Sequence, residues 1–350
     1  MTWTTPQNVP QPGHAALLPP GPLTLGDIAG GAWRVYKARF GLFLKLLLMP
    51  FLLMMGATAV FMVVAITSAL SSPDAGRSIP PSIIGATILL YLVLLGLSLL
   101  LYVYQGRTVI AGIDLATGRE NPTGHNLAER TRGMFGRVVM LLLLGLAFGV
   151  VLAVALVAVA VPIGMATSGR GNGAAGTGAL FGVLAMLVFY AAIIWVSTKL
   201  TYIIPAMAEE RLDAFPAIKR SWQLTDGAWW RTLGYQIVLG LISMAVFLVP
   251  YLIAVGVIAA TAAAGGERGV GAGVAAGAMV SILIAVLVMW AAALLLVPYS
   301  YLFTGLMYLG RRRELEGAPA PQYPSQPYPP QQYPQNPWAS PPAGGSAPQG

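Results

Sequence analysis

VVMLLLLGLAFGVVLAVALVAVAVPIGMATSG, residues 138–169, carries no Asp, Glu, Lys or Arg over 32 positions. A helix on the surface of a soluble protein needs a polar face. This stretch has none, and about 20 apolar residues suffice to cross a bilayer core. Working outward, the same absence of charge recurs at 46–73, 78–106, 171–198, 232–266 and 269–310. Six membrane spans are expected, centred on 46–70, 82–105, 138–163, 179–204, 233–263 and 275–307. Several exceed the minimum length, which permits tilt.

The composition agrees. Across 350 residues, 57% are hydrophobic and 9% charged, which no soluble surface can be built from. There is no cysteine, which removes disulfides, thiolate metal sites, cysteine nucleophiles and lipoprotein acylation together. His14 and His125 are the only imidazoles. The heavy use of Arg over Lys, with 41 Gly, suggests a GC-rich bacterial source. The first apolar run starts near Leu42 and is far longer than a signal-peptide core, so a cleaved leader is not expected.

A net charge of +8 could suggest nucleic acid in a soluble chain, but in a membrane chain the positions of the cations decide. With the N-terminus inside, the outer loops 71–81, 164–178 and 264–274 hold only Arg77, Arg170 and Arg268 of the 20 cations. The other 17 lie inside. This asymmetry places both termini in the cytoplasm of a multi-pass protein of the bacterial plasma membrane.

The outer loops are short and rich in Gly, Ser and Pro, and the inner connections are longer and basic, so the unit is a helical hairpin used three times. Before the first span, Thr24-Leu25-Gly26-Asp27 reads as a capping box. It opens a helix with Leu25, Ile28, Ala29, Ala32, Val35 and Tyr36 on one stripe and Arg34 and Lys37 off it. Such a helix is expected to lie in the membrane interface. Before the fifth span, Phe215, Ile218 and Trp222 form a second stripe, with Pro216 in the first turn and Lys219, Arg220 and Gln223 facing elsewhere. Trp33 precedes Phe40 by seven residues, as Trp222 precedes Trp229. Tyr102, Tyr104, Tyr202, Tyr299 and Tyr301 at the inner ends of the even spans suit an aromatic belt.

LTLGDIAGGAWRVYKARFG at 23–41 and AIKRSWQLTDGAWWRTLG at 217–234 resemble the two signatures of a six-span bacterial membrane family. That family is the membrane domain found in some glycerophosphoryl diester phosphodiesterases and in stand-alone proteins. The resemblance covers roughly residues 23–312 and implies a helical membrane module without the catalytic domain. It does not imply phosphodiesterase activity.

Direct signs of chemistry are few. The inner segments 1–41, 106–137, 205–232 and 308–350 are each too short to close a catalytic barrel. Serine hydrolysis would have to recruit His125 with Asp114 or Glu129, and an exposed loop histidine is the better reading. Among the spans Lys199 comes nearest to a buried charge, with a stem long enough to snorkel to the headgroups. Arg34, Lys37, Arg39, Lys199, Lys219, Arg220 and Arg231 are the candidate contacts to anionic inner-leaflet lipid. Val249-Pro250-Tyr251 and Val297-Pro298-Tyr299 put a proline inside the fifth and sixth spans, as packing kinks or as the broken helices of a transporter. Gly145/Gly149 and Gly273/Gly277 have the spacing of close helix contacts.

The chain divides into a Pro-rich N-terminal tail at 1–22, a membrane domain at 23–312 and a Pro/Gln/Tyr-rich tail at 313–350. From Gly317 on there are 11 prolines in 34 residues and no charge, a composition that cannot build a core. Tyr323, Tyr328, Tyr333 and Trp338 recur every five residues and are candidate stickers for a protein partner. The expected protein is all-α and non-enzymatic, needs no cofactor or metal and binds no nucleic acid. Its expected role is that of an accessory or scaffold module, with transport of a small or lipid-like solute as the alternative.

Overall fold

The computed structural model describes residues 16–19, 21–71, 81–168, 172–265 and 272–317. Within them the chain is helical and without strands: α1 (Leu25–Ala38), α2 (Phe40–Ser71), α3 (Pro81–Thr117), α4 (Gly124–Arg130), α5 (Met134–Ser168), α6 (Asn172–Lys199), α7 (Ile203–Glu209), α8 (Ala214–Thr225), α9 (Trp229–Gly265) and α10 (Ala272–Glu316). Six segments are long and apolar enough to cross a membrane: Phe40–Phe61, Ile84–Thr117, Met134–Val151, Gly182–Glu209, Trp229–Val257 and Ile284–Glu316. They fall on the six expected spans. The protein is an all-α, polytopic membrane protein.

The packing is unevenly distributed. In the most apolar windows of the second and fifth spans only 6% of residues are buried, because lipid tails solvate a Leu as well as another Leu does. The core lies at the end of the bundle that gathers most of the cations. There the C-terminal parts of α3 and α10 meet α1, α7 and α8, burying Ile28, Val35, Ile110, Ile113, Met207, Leu224, Phe303 and Tyr308. Each such side chain contributes about 1.5–3 kcal/mol when fully buried. We call this part the basic end.

Two helices run further than their apolar sequence. Hydrophobicity alone ends the second and sixth spans near 105 and 307, but α3 continues to Thr117 and α10 to Glu316. Their charged last turns mark where lipid ends, not where helix ends. They approach closely: a Cβ on Gly112 would meet Leu302 Cδ2 at 2.3 Å, and one on Gly305 would meet Val109 Cγ1 at 3.2 Å. Among the described residues a Cβ on Gly145 or Gly149 would meet nothing within 4 Å, and the side-chain surroundings of Gly273 and Gly277 lie outside the described residues.

The capping box of α1 is formed. The Asp27 amide donates to Thr24 Oγ1 at 3.3 Å and the Thr24 amide donates to Asp27 Oδ2 at 3.0 Å. The α1 stripe does not lie on lipid, however: Ile28, Ala32, Val35 and Tyr36 are buried, chiefly against α10. On α8 two of the three stripe residues face outward, while Ile218 packs against the core. Phe215 is 61% and Trp222 39% exposed, while Ala214, Ala217, Ser221 and Leu224 are buried. The tyrosine belt also divides, since Tyr102 is exposed but Tyr202 and Tyr299 belong to the core.

Described residues on both sides of 23–312 pack against the helices. Leu18 is buried, its amide donates to Ala116 O at 3.2 Å, and Arg313 Nη1 donates to Pro19 O at 3.0 Å. Packing therefore begins ahead of residue 23 and continues past 312.

Candidate functional site: the basic end and its interfacial cavity

The link from α8 to α9 is built by a tight reversal. The Asp226 amide caps α8 by donating to Trp222 O and Gln223 O, Gly227 adopts φ +70°, and α9 begins at Trp229. Only a glycine takes that left-handed turn without strain. Beside the reversal opens a cavity of about 630 Å³. Three indoles (Trp195, Trp229, Trp230) and three cations (Lys199, Arg231, Arg311) line it together with Asp226, Gly227 and Ala228.

The cations are held by specific partners. Lys199 Nζ lies 2.9 Å from Asp226 Oδ1 and 5.2 Å from the centroid of the Trp222 ring, with its side chain 8% exposed. The ammonium is thus held by the exposed Asp226 carboxylate and an aromatic face. Its own carbonyl accepts from Ser221 Oγ at 2.7 Å, which fixes α6 against the small-residue face of α8. Arg311 donates through Nε to Leu224 O at 2.8 Å and through Nη2 to Asp226 O at 2.6 Å, stitching α10 to the reversal. Glu314 accepts from Arg311 Nη1 at 2.9 Å and from Arg231 through both guanidinium nitrogens. Fork-to-carboxylate pairs of this kind are among the stronger charge-assisted contacts.

A second cluster locks the neighbouring corner. Arg220 Nε bonds both Glu210 oxygens at 3.0 and 3.1 Å and also pairs with Glu316. The Tyr308 hydroxyl donates to Glu210 as well. A third joins α3, α4 and α7: Arg130 lies 2.5 Å from Asp114 and 3.5 Å from Glu209, and Arg119 pairs with Glu209 at 2.5 Å.

The seven candidate lipid contacts thus separate. Lys199, Arg220 and Arg231 are engaged in ion pairs. Arg39 donates to Asn121 Oδ1 at 2.6 Å. Arg34, Lys37 and Lys219 are exposed, Lys37 lying 5.4 Å from the Trp33 ring centroid. His125 is an exposed residue 3.8 Å from Glu129, and Asp114, its other triad partner by sequence, is buried against Arg130. His14 and the aromatics Tyr323, Tyr328, Tyr333 and Trp338 lie outside the described residues.

Pro250 and Pro298 sit in helices that run unbroken through them, as does Pro50 in α2, which the sequence reading passed over. The two Val-Pro-Tyr tripeptides serve differently. Proline at 298 weakens the hydrogen bonding of the preceding turn. The Tyr36 hydroxyl donates to Leu295 O there at 3.0 Å, and the Tyr299 hydroxyl donates to Ala29 O at 3.4 Å. The turn before Pro298 is where α1 docks. Tyr251, by contrast, is 58% exposed.

The sequence reading missed Trp195, Asp226, Arg311 and Glu314 as site residues. Asp226 stands within the quoted signature LTDGAWWR, and Arg311 and Glu314 share a helix face at i, i+3, so the signals were present. What no local pattern shows is that residues near 199, 226 and 311 converge.

Comparison with curated proteins and with solved structures gives no match. Residues 177–312, which include every residue lining the cavity, match the family described as the membrane domain of glycerophosphoryl diester phosphodiesterase.

Proposed function

We propose that the protein is a non-catalytic accessory or scaffold module of the bacterial plasma membrane, acting from its basic end, which faces the cytoplasm. The observation that carries this reading is the division of labour at that end. Paired cations (Lys199, Arg220, Arg231, Arg311) hold α6, α8, α9 and α10 in one rigid corner, while Arg34, Lys37 and Lys219 point outward. Outward cations at an anionic leaflet contribute about 1 kcal/mol each. Topology by the positive-inside rule gives the orientation. The matched family, a membrane domain and not the catalytic one, is consistent with a supporting role.

The Pro-rich segment beyond Gly317, with Tyr323, Tyr328, Tyr333 and Trp338, is the proposed contact for a partner protein. The test is purification of the full chain and of a chain ending at Glu316 from native membranes in mild detergent, followed by mass spectrometry. A partner recovered with the full chain and lost on truncation supports the role. Identical protein content in both samples overturns it.

A further inference from the structure

We infer that the cavity beside the α8–α9 reversal is a binding site for the phosphate of an anionic membrane phospholipid, with the glycerol backbone and chain starts against its tryptophans. It shares with the proposed function only the placement of the basic end at the headgroup layer, and it requires no partner protein.

The charge balance points to a single negative charge. Lys199, Arg231 and Arg311 are offset by Asp226 and Glu314, which leaves one uncompensated cation. A phosphodiester carries one negative charge at neutral pH. The local geometry favours an anion as well: the site lies at the N-terminus of α9, a 37-residue helix whose first amides and dipole point at the reversal. Helix polarity alone would not make a site, but here it adds to a cavity of about 630 Å³ that holds three cationic side chains.

The tryptophans select the source of the phosphate. Trp230 is 79% exposed at the first turn of a membrane span, and Trp229 and Trp195 are joined by a hydrogen bond from Trp229 Nε1 to Trp195 O at 3.4 Å. Indoles at this depth belong in the glycerol and headgroup layer, where one edge meets hydrocarbon and the other meets polar groups. A free phosphate has no use for them. Arg231 is the contact residue: its side chain is 42% exposed and its one partner is the Glu314 carboxylate, whereas Arg311 also donates to two backbone carbonyls.

The test uses the purified full chain in detergent micelles doped with phosphatidylglycerol or phosphatidylcholine carrying brominated acyl chains, reading tryptophan quenching, with inorganic phosphate and glycerol phosphate as soluble competitors. The wild type should be quenched by brominated phosphatidylglycerol at concentrations at least fivefold below those of brominated phosphatidylcholine. Arg231→Gln should weaken that binding about tenfold. Glu314→Gln, which frees the Arg231 fork, should tighten it severalfold, an effect opposite in sign to any loss of folding. Arg132→Gln, an exposed cation outside the cavity, should change it less than twofold. Equal quenching by both lipids, an Arg231→Gln or Glu314→Gln variant that binds like wild type, or an Arg132→Gln loss matching that of Arg231→Gln overturns the inference. Competition by millimolar phosphate or glycerol phosphate overturns the lipid source in favour of a soluble phosphate. A partner lost or kept on truncation after Glu316 leaves all of these readings unchanged, so the two proposals fail separately.

Discussion

α1 and α8 are both short amphipathic helices set before a membrane span, yet they treat their aromatic residues differently. α1 packs Ile28, Val35 and Tyr36 into the core against α10. α8 packs chiefly small residues, Ala214, Ala217 and Ser221, with Leu224 near its end, and turns Phe215 and Trp222 outward. Amphipathicity states that a helix has two faces; it does not state which face meets protein. In water the apolar face goes inward by default, but at a bilayer the outward direction is also apolar, and close approach to a neighbour is easiest on the small-residue side.

The strongest way to break this comparison is Ile28→Ala. Truncating a side chain that is 1% exposed should cost about 3 kcal/mol and lower the thermal midpoint followed by tryptophan fluorescence in detergent. Next is Ala217→Leu: if the small face of α8 is the packed one, overfilling it should cost about 2 kcal/mol, and an unchanged midpoint would reverse the assignment. Tyr36→Phe removes the donor to Leu295 O in the turn before Pro298 and should cost about 1 kcal/mol in the same assay. Burial raises the Tyr36 hydroxyl above its ordinary range, so the donor is retained through mildly alkaline pH. Phe215→Ala should be the weakest, within about 0.5 kcal/mol by midpoint. It sharpens the comparison by its second readout, a reduced transfer of α8 into lipid, seen as weaker quenching of Trp222 by brominated lipid.

The capping box of α1 supplies a pH signature that α8 lacks. Hydrogen bonds from Thr24, side chain first and then backbone, hold the Asp27 carboxyl below its ordinary value. Its contribution is complete above about pH 4 and is lost as the pH falls through the lowered folded value. Acid fraying of the first turn, followed by limited proteolysis near residue 25, should therefore be present in the wild type and absent as a transition in Asp27→Asn. The N-cap of α8, Asp213, makes no side-chain cap bond.

How far the sequence could be read follows from the same physics. Charge-free stretches located all six spans, because crossing a bilayer is a demand that each helix meets alone. The Thr24–Asp27 cap was legible because its partners are three residues apart. The α1 face was misread because Ile28, Val35 and Tyr36 have the spacing of an interfacial stripe, and nothing local says that α10 and not lipid covers it. The extensions of α3 and α10 were missed because Asp114 and Arg311 look like loop charges, yet each is bonded across the core to a residue from another helix. The cavity was illegible for that reason too: Lys199, Asp226 and Arg311 meet only after α6, α8 and α10 have assembled.

α10 is a single 45-residue helix, about 68 Å long at 1.5 Å per residue, against a hydrocarbon core of roughly 30 Å. The charge-free stretch runs to Gly310, which leaves room for tilt, and the helix continues without a break through the charged turns Arg311–Glu316. Its far end is gripped at Glu316 by Arg220 and Arg312 before Gly317 turns out of the helix at φ +78°. One unbroken helix thus ties two distant fastenings together, the ion pairs at Glu316 and the α1 hydroxyl bonds around Pro298, so the place where the chain leaves α10 and the place where α1 rests on it share a single backbone.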